Sequence, residues 1–232
     1  MKTMKIIKGL YVIAILFLLG ACDDMLDNIR PYLDKGETVY VGKVDSLYTH
    51  VGRNRLELVI RLKSGFTQAK CQVSTTDPDG VQDTVYYDIA RQNGEQYLKY
   101  MFTGLKEGQY DFSVTMLDDS GNRSLKALAS GYSYGNFYQS TLFNRRMNGV
   151  QVRDGKAVLN WRSIESALYT LVTYITSDGE NQTLEVPASQ SETVIDSYLP
   201  GSKFTWITAY KPKVTALDTF YSDDNENIFP DE

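Results

Sequence analysis

From residue 38 to residue 221, apolar and polar side chains alternate in short runs. β-branched and aromatic residues are frequent, and turn-forming residues recur about every eight to twelve positions. Alternation with period two sends successive side chains to opposite faces of an extended strand. The sustained 3.6-residue period of an amphipathic helix is absent from this stretch. A chain patterned in this way is all-β and folds as a sandwich or a barrel.

In the first half the alternation predicts strands at residues 38–47, 55–62, 68–75, 81–89, 96–102, 109–117 and 124–132. In the second half it predicts strands at 149–153, 156–161, 168–176, 182–186, 192–198, 203–210 and 216–221. Turn chemistry separates them: Gly52-Arg53-Asn54, Asp77-Pro78-Asp79-Gly80, Asn93-Gly94, Asp118 to Asn122, Asp154-Gly155 and Asp178-Gly179. Each supplies a glycine or asparagine where the backbone needs a positive φ, and the acids there hydrogen-bond nearby backbone N–H groups. Seven short strands in about 95 residues is the count of one immunoglobulin-like sandwich, so two tandem sandwiches are expected.

The two halves also correspond at one corner. Leu105 and Tyr110 flank Gly108, and Leu199 and Phe204 flank Gly201; an alternating strand follows each pair. In each half the leucine is expected to plug the end of the core. This corner resembles the fibronectin type III fold, in which a tyrosine hydroxyl at the start of the next strand bonds back to the backbone. The resemblance gives that role to Tyr110, whereas Phe204 has no hydroxyl for it. Trp161 resembles the core tryptophan of such modules, and Val59 and Ile60 stand at the matching place in the first half.

Before the first strand lies a segment of another kind. Lys2, Lys5 and Lys8 precede an uncharged apolar run that closes with Gly20-Ala21 directly before Cys22. That is the layout of a secretory signal. The run of about thirteen residues is short of the roughly 20 that a membrane-spanning helix needs. Leu19-Gly20-Ala21-Cys22 resembles the lipobox of bacterial lipoproteins. The resemblance implies cleavage before Cys22 and acylation of that cysteine, each buried methylene contributing about 0.8 kcal/mol to membrane attachment. Asp23-Asp24 resembles the acidic surface-export signals of Bacteroidota lipoproteins.

Loss of residues 1–21 would remove three lysines and no acid, taking the net charge from −5 to −8. An acidic chain without a basic cluster is not a nucleic-acid binder. With Cys22 lipidated, Cys71 has no disulfide partner and is expected in the core.

Catalytic chemistry finds little purchase. His50 is the only histidine and reads as a surface-loop residue before the Gly-Arg-Asn turn. No Cys/His spacing suits zinc and no glycine-rich loop suits phosphate, so neither a metal nor another cofactor is expected. A pair of carboxylates suffices for glycoside hydrolysis, but most acids here sit at turns. Asp77-Pro78-Asp79-Gly80 lacks the later ligands of a calcium loop. The acidic end, residues 223–232, reads as a solvated tail.

The candidate binding residues are Tyr132, Tyr134, Phe137 and Tyr138. Aromatic rings stack on the C–H faces of sugars and tyrosine adds a hydroxyl. Tyr132 and Tyr134 share a strand face. The cluster also falls between the two sandwiches, where it serves equally as interface packing. Arg145 and Arg146 are placed to lock the same junction against a carboxylate or an aromatic face.

The layout as a whole resembles a family of Bacteroidota lipoproteins built on a domain of unknown function. The matching segments are Cys22-Asp23-Asp24, Tyr32 to Glu37, Tyr40 to Ser46, Gly52 to Arg55, Tyr134 to Tyr138 and Leu142 to Arg146. The resemblance implies an outer-membrane lipoprotein, at the cell surface or facing the periplasm, that accompanies glycan-capture systems. The expected organisation is a signal peptide at 1–21, a lipid-anchored linker at 22–36, sandwiches at 37–133 and 149–222 joined by an aromatic linker at 134–148, and an acidic tail at 223–232. The expected role is non-catalytic. Its partners are the membrane, through the lipid, and a glycan or an outer-membrane protein. A structural or adhesion module and a carboxylate-based glycoside hydrolase are the alternatives.

Overall fold

The computed structural model describes residues 41–63 and 67–231. Cys22, the signal segment and the linker at 22–36 lie outside the described residues. The residues from Val41 onward form one compact unit.

The first sandwich contains β1 (Ser46–Gly52), β2 (Arg55–Leu62), β3 (Lys70–Thr76), β4 (Gln82–Asp88), β5 (Gln96–Thr103), β6 (Gly108–Leu117) and β7 (Ala127–Ser133). They form two antiparallel sheets in the orders β1-β2-β5 and β4-β3-β6-β7. A short helix, α1 (Asn136–Ser140), follows. The second sandwich contains β8 (Met147–Arg153), β9 (Lys156–Trp161), β10 (Ala167–Ile175), β11 (Asn181–Pro187), β12 (Glu192–Ile195), β13 (Lys203–Tyr210), β14 (Phe220–Tyr221) and β15 (Asn225–Ile228). Its sheets run β12-β9-β8 and β11-β10-β13-β14, with β15 also on β13, so the strand order of the first sandwich is repeated.

The alternation explains both cores. In β2, Leu56, Leu58, Ile60 and Leu62 are fully buried and face Tyr110, Phe112, Val114 and Met116 of β6. Each such side chain contributes about 1.5–3 kcal/mol by leaving water. Cys71 lies in this core as expected. Tyr110 takes the corner role, its hydroxyl bonded to the backbone of Lys106. The second core is more aromatic: Trp161, Tyr198, Phe204, Trp206 and Phe229 are buried together. Trp161 Nε1 donates to Thr193 Oγ1 at 3.0 Å, so its one polar atom is satisfied. At the turns, Asp77 and Asp118 accept from backbone N–H groups two and four residues on, as turn acids do.

Several expectations need correcting. The first strand starts at Ser46, and it carries His50, which is therefore on a sheet; its Nδ1 lies 2.8 Å from Glu57 Oε2. Val41 and Val44 pack under the first core without joining a strand. Leu199 is exposed, and the neighbouring Tyr198 closes the second core instead. The run at 216–221 is strand only at Phe220–Tyr221. The acidic end is no solvated tail, because β15 pairs with β13 through its backbone and Phe229 is buried. The linker is shorter than expected, since β8 begins at Met147.

Candidate functional site

The residues between the sandwiches are organised by Glu107, at the turn before β6. Its carboxylate accepts from the backbone N–H of Phe137 at 2.8 Å and of Tyr138 at 2.7 Å, starting α1. A side chain at position 135 would place its Cβ 2.7 Å from Glu107 Oε2, so Gly135 is required for that approach.

Around this corner the second sandwich docks onto the first. The loop before β14 carries Leu217, whose N–H donates to Val51 O at 2.7 Å, and Ala216, which is buried within the first core. Asp218 accepts two bonds from Arg55, Nε at 2.9 Å and Nη2 at 2.6 Å, and one from the Arg53 N–H at 2.7 Å. Fork-shaped pairing of this kind fixes orientation as well as adding attraction. Arg55 beside it holds the Asp218 carboxyl below the usual carboxylate range. Gly52 is the point of closest approach, where an added Cβ would lie 2.6 Å from Asp218 Oδ2. Tyr134 is stitched to the first sandwich by Asn54 N–H to Tyr134 O at 2.7 Å and Tyr134 N–H to Gly52 O at 3.0 Å.

The aromatic rings fill what remains. Phe220 of the second sandwich meets Tyr138 at 5.1 Å and Tyr134 at 6.1 Å between centroids, and the Arg53 guanidinium lies 4.6 Å above its ring. Tyr134 lies 4.6 Å from Tyr138 and 4.9 Å from Tyr132. Edge-on packing of this type adds about 0.5–1.5 kcal/mol per pair beyond the area buried. Burial raises the Tyr134 and Tyr138 hydroxyls above their ordinary ionisation range.

Beside α1 opens a cleft of about 400 Å³, bordered by Tyr138, Leu142, Phe143, Ile164, Tyr210 and Lys211. Tyr210 Oη donates to Phe143 O at 2.5 Å, pinning the linker to β13. The Phe143 ring itself is 83% exposed, so it is free to meet a ligand.

The four aromatic residues expected to bind therefore divide. Tyr134 packs the junction. Tyr138 packs on Phe220 and also lines the cleft. Phe137 projects into solvent at 72% exposure, and Tyr132, 37% exposed, lies at the edge of the first sandwich. Arg145 departs from expectation: it is buried inside the second sandwich and pairs with no carboxylate among the described residues. Its guanidinium donates to the carbonyls of Arg162 (2.8 Å), Pro187 (3.2 Å) and Gln190 (2.6 Å), and it lies 5.5 Å from the Trp161 ring centroid. Arg146 is exposed. Sequence alone does not single out Asp218 and Tyr210, whose partners lie 163 and 67 residues away, and Phe143 stands in it only within the Leu142 to Arg146 segment.

Two sandwiches with this repeated strand order form a tandem pair of fibronectin type III-like modules. A family model, DUF4998, described as a domain of unknown function, matches residues 22–220, and the chain belongs to that family. No curated protein matches the chain. Among solved structures, the chain is similar to the FN1–FN3 domains of chicken CNTN1, at 12% identity and a TM-score of 0.42, covering 81% of this chain and 64% of that one. It is similar to a two-domain fibronectin type III segment of chicken tenascin, at 14% identity and a TM-score of 0.33, covering 82% and 99%. It is also similar to the BSP domain of a biofilm-associated protein, at 18% identity and a TM-score of 0.28, covering 81% and 30%.

Proposed function

We propose that this protein is a non-catalytic cell-envelope lipoprotein, anchored through Cys22, that binds glycan as an accessory of an outer-membrane capture system. The observation that carries the reading is the cleft beside α1. It brings aromatic rings at Tyr138 and Phe143 and the Lys211 ammonium around one space, with Tyr210, whose hydroxyl is held by Phe143 O, in its wall. Such sites combine apolar stacking with a few placed polar groups. The acidic net charge favours a neutral glycan over an anionic one.

Two experiments test it. The soluble chain, residues 23–232, is run in native gels containing neutral polysaccharides. Retardation by at least one of them is expected, weakened about tenfold in Phe143→Ala, the loss of one aromatic contact. Retardation by none sinks the glycan reading, and retardation untouched by the substitution sinks the cleft. The anchor is tested separately: Cys22→Ala is expected to move the protein from the membrane fraction to the soluble one, and firm attachment of that variant contradicts lipidation.

A second reading, a rigid adhesion or spacer module binding a protein partner, is favoured by one observation. The Arg55–Asp218 pair and the docked Ala216 loop fix the two sandwiches against each other.

A further inference from the structure

The outward face of the four-stranded sheet of the first sandwich is unusual for a surface exposed to water. Its register sets Thr84, Ser74, Ser113 and Leu128 in one row across the strands, and Tyr86, Gln72 and Thr115 in the next. A third row runs Gln82, Thr76, Asp111 and Ser130. Exposed sheet faces ordinarily carry many charged side chains. Here hydroxyls and amides are the most numerous, and with Asp111, Arg123 and Lys126 they line a groove of about 370 Å³ in which Thr115 is only 5% exposed.

The groove is pre-ordered by its own hydrogen bonds. Arg123 Nη1 donates to Gln72 Oε1 at 3.0 Å, Gln72 Nε2 lies 3.4 Å from Ser74 Oγ, and Ser74 Oγ is 2.9 Å from Thr84 Oγ1. Asp111 Oδ1 accepts from Ser130 Oγ at 2.7 Å and from Gln109 Nε2 at 3.2 Å. Both bonds end on Oδ1, which leaves Oδ2 to accept from a ligand. Those two donors also hold the carboxyl below its usual range, keeping it an acceptor. Fixing these side chains in advance reduces the entropy lost when a ligand binds.

Two exposed rings stand on the same face beyond the groove, on opposite edge strands. Tyr86 on β4 is 55% exposed, and Tyr132 on β7, opposite Gln109, is 37% exposed. From strand spacing and rise they stand about 25 Å apart along the diagonal, which suits an extended chain of several sugar rings and far exceeds one. We infer that this face is a second binding platform, separate from the cleft, for an extended neutral polysaccharide. The rings stack on sugar faces, and Asp111, Gln72 and Ser113 bond the hydroxyls between them. A protein partner fits less well, because interface cores are apolar. Nucleic acid is disfavoured by the acidic chain. The choice of ligand class rests on the glycan reading above; the location does not.

The test uses the soluble chain, residues 23–232, in native gels containing amylopectin, xyloglucan, galactomannan or polygalacturonate. Ser113→Arg blocks the groove, Asp111→Ala removes its acceptor, and Phe143→Ala alters only the cleft; circular dichroism confirms that each variant is folded. The platform predicts retardation by a neutral polysaccharide, weakened about tenfold or more by both Ser113→Arg and Asp111→Ala. Retardation that resists both substitutions overturns the platform, and if Phe143→Ala abolishes it the cleft stands alone. Retardation lost in the groove variants but kept in Phe143→Ala upholds the platform and removes the cleft. Binding to polygalacturonate alone, or to nothing, overturns the inference.

Discussion

Arg145→Ala is expected to destabilise the second sandwich by about 4 kcal/mol, because the buried guanidinium's bonds to three carbonyls and its packing on Trp161 are lost together. The arginine lies in the interior with 1% of its surface exposed. Its charge is held by the carbonyls of Arg162, Pro187 and Gln190 together with the Trp161 ring. Neighbouring groups tie the same point down: Trp206 Nε1 donates to Arg145 O at 2.8 Å and the Arg145 N–H donates to Thr208 Oγ1 at 2.8 Å. Arg145→Lys is expected to recover only part of the loss, since an ammonium lacks the planar fork. Both tryptophans of the chain, Trp161 and Trp206, lie in this sandwich, so urea unfolding followed by tryptophan fluorescence reads it directly. A midpoint within error of the parent protein in Arg145→Ala would show that those bonds contribute nothing.

Phe220→Ala carries the second large effect, about 3–5 kcal/mol for removing a fully buried phenylalanine. The consequence is specific because Phe220 is the second sandwich's share of the aromatic junction, touching Tyr134, Tyr138 and Arg53. Its loss leaves the docked loop, with the Leu217–Val51 backbone bond and the buried Ala216, and the Arg55–Asp218 pair to hold the junction. That pair is partly solvent-exposed and is worth little alone. The expected result is a single calorimetric transition in the parent protein and two in the variant, one per sandwich. A single unshifted transition in both would mean that the ring does not couple the modules.

How far the sequence anticipates this arrangement depends on whether the partners are near in the chain. Strands such as 55–62, 156–161 and 203–210 are read to the residue, because one face of each is apolar at every second position. β15 escapes because Asn-Glu-Asn-Ile is exposed throughout and is held by backbone bonds, with only Phe229 anchoring its end. Helix α1 escapes because its first turn is capped by Glu107, about thirty residues earlier. The aromatic cluster is legible as a cluster since its members lie close together between Tyr132 and Tyr138, but which rings pack and which face water is decided by Phe220, far along the chain. An arginine is expected at the surface unless a partner is known, and the carbonyls that hold Arg145 come from two segments, Arg162 after β9 and the Pro187–Gln190 turn after β11. The polar groove lies across four strands and becomes visible only once their register is fixed.

This junction holds the two sandwiches as one body. The most direct measurement of that is the distance between spin labels on Gln92→Cys and Asp178→Cys, both exposed, in the soluble chain 23–232. Cys71 does not interfere, since burial pushes its thiol up to about 12. One narrow distance distribution is expected, broadening in Phe220→Ala. A broad or multiple distribution in the parent chain would contradict a single body.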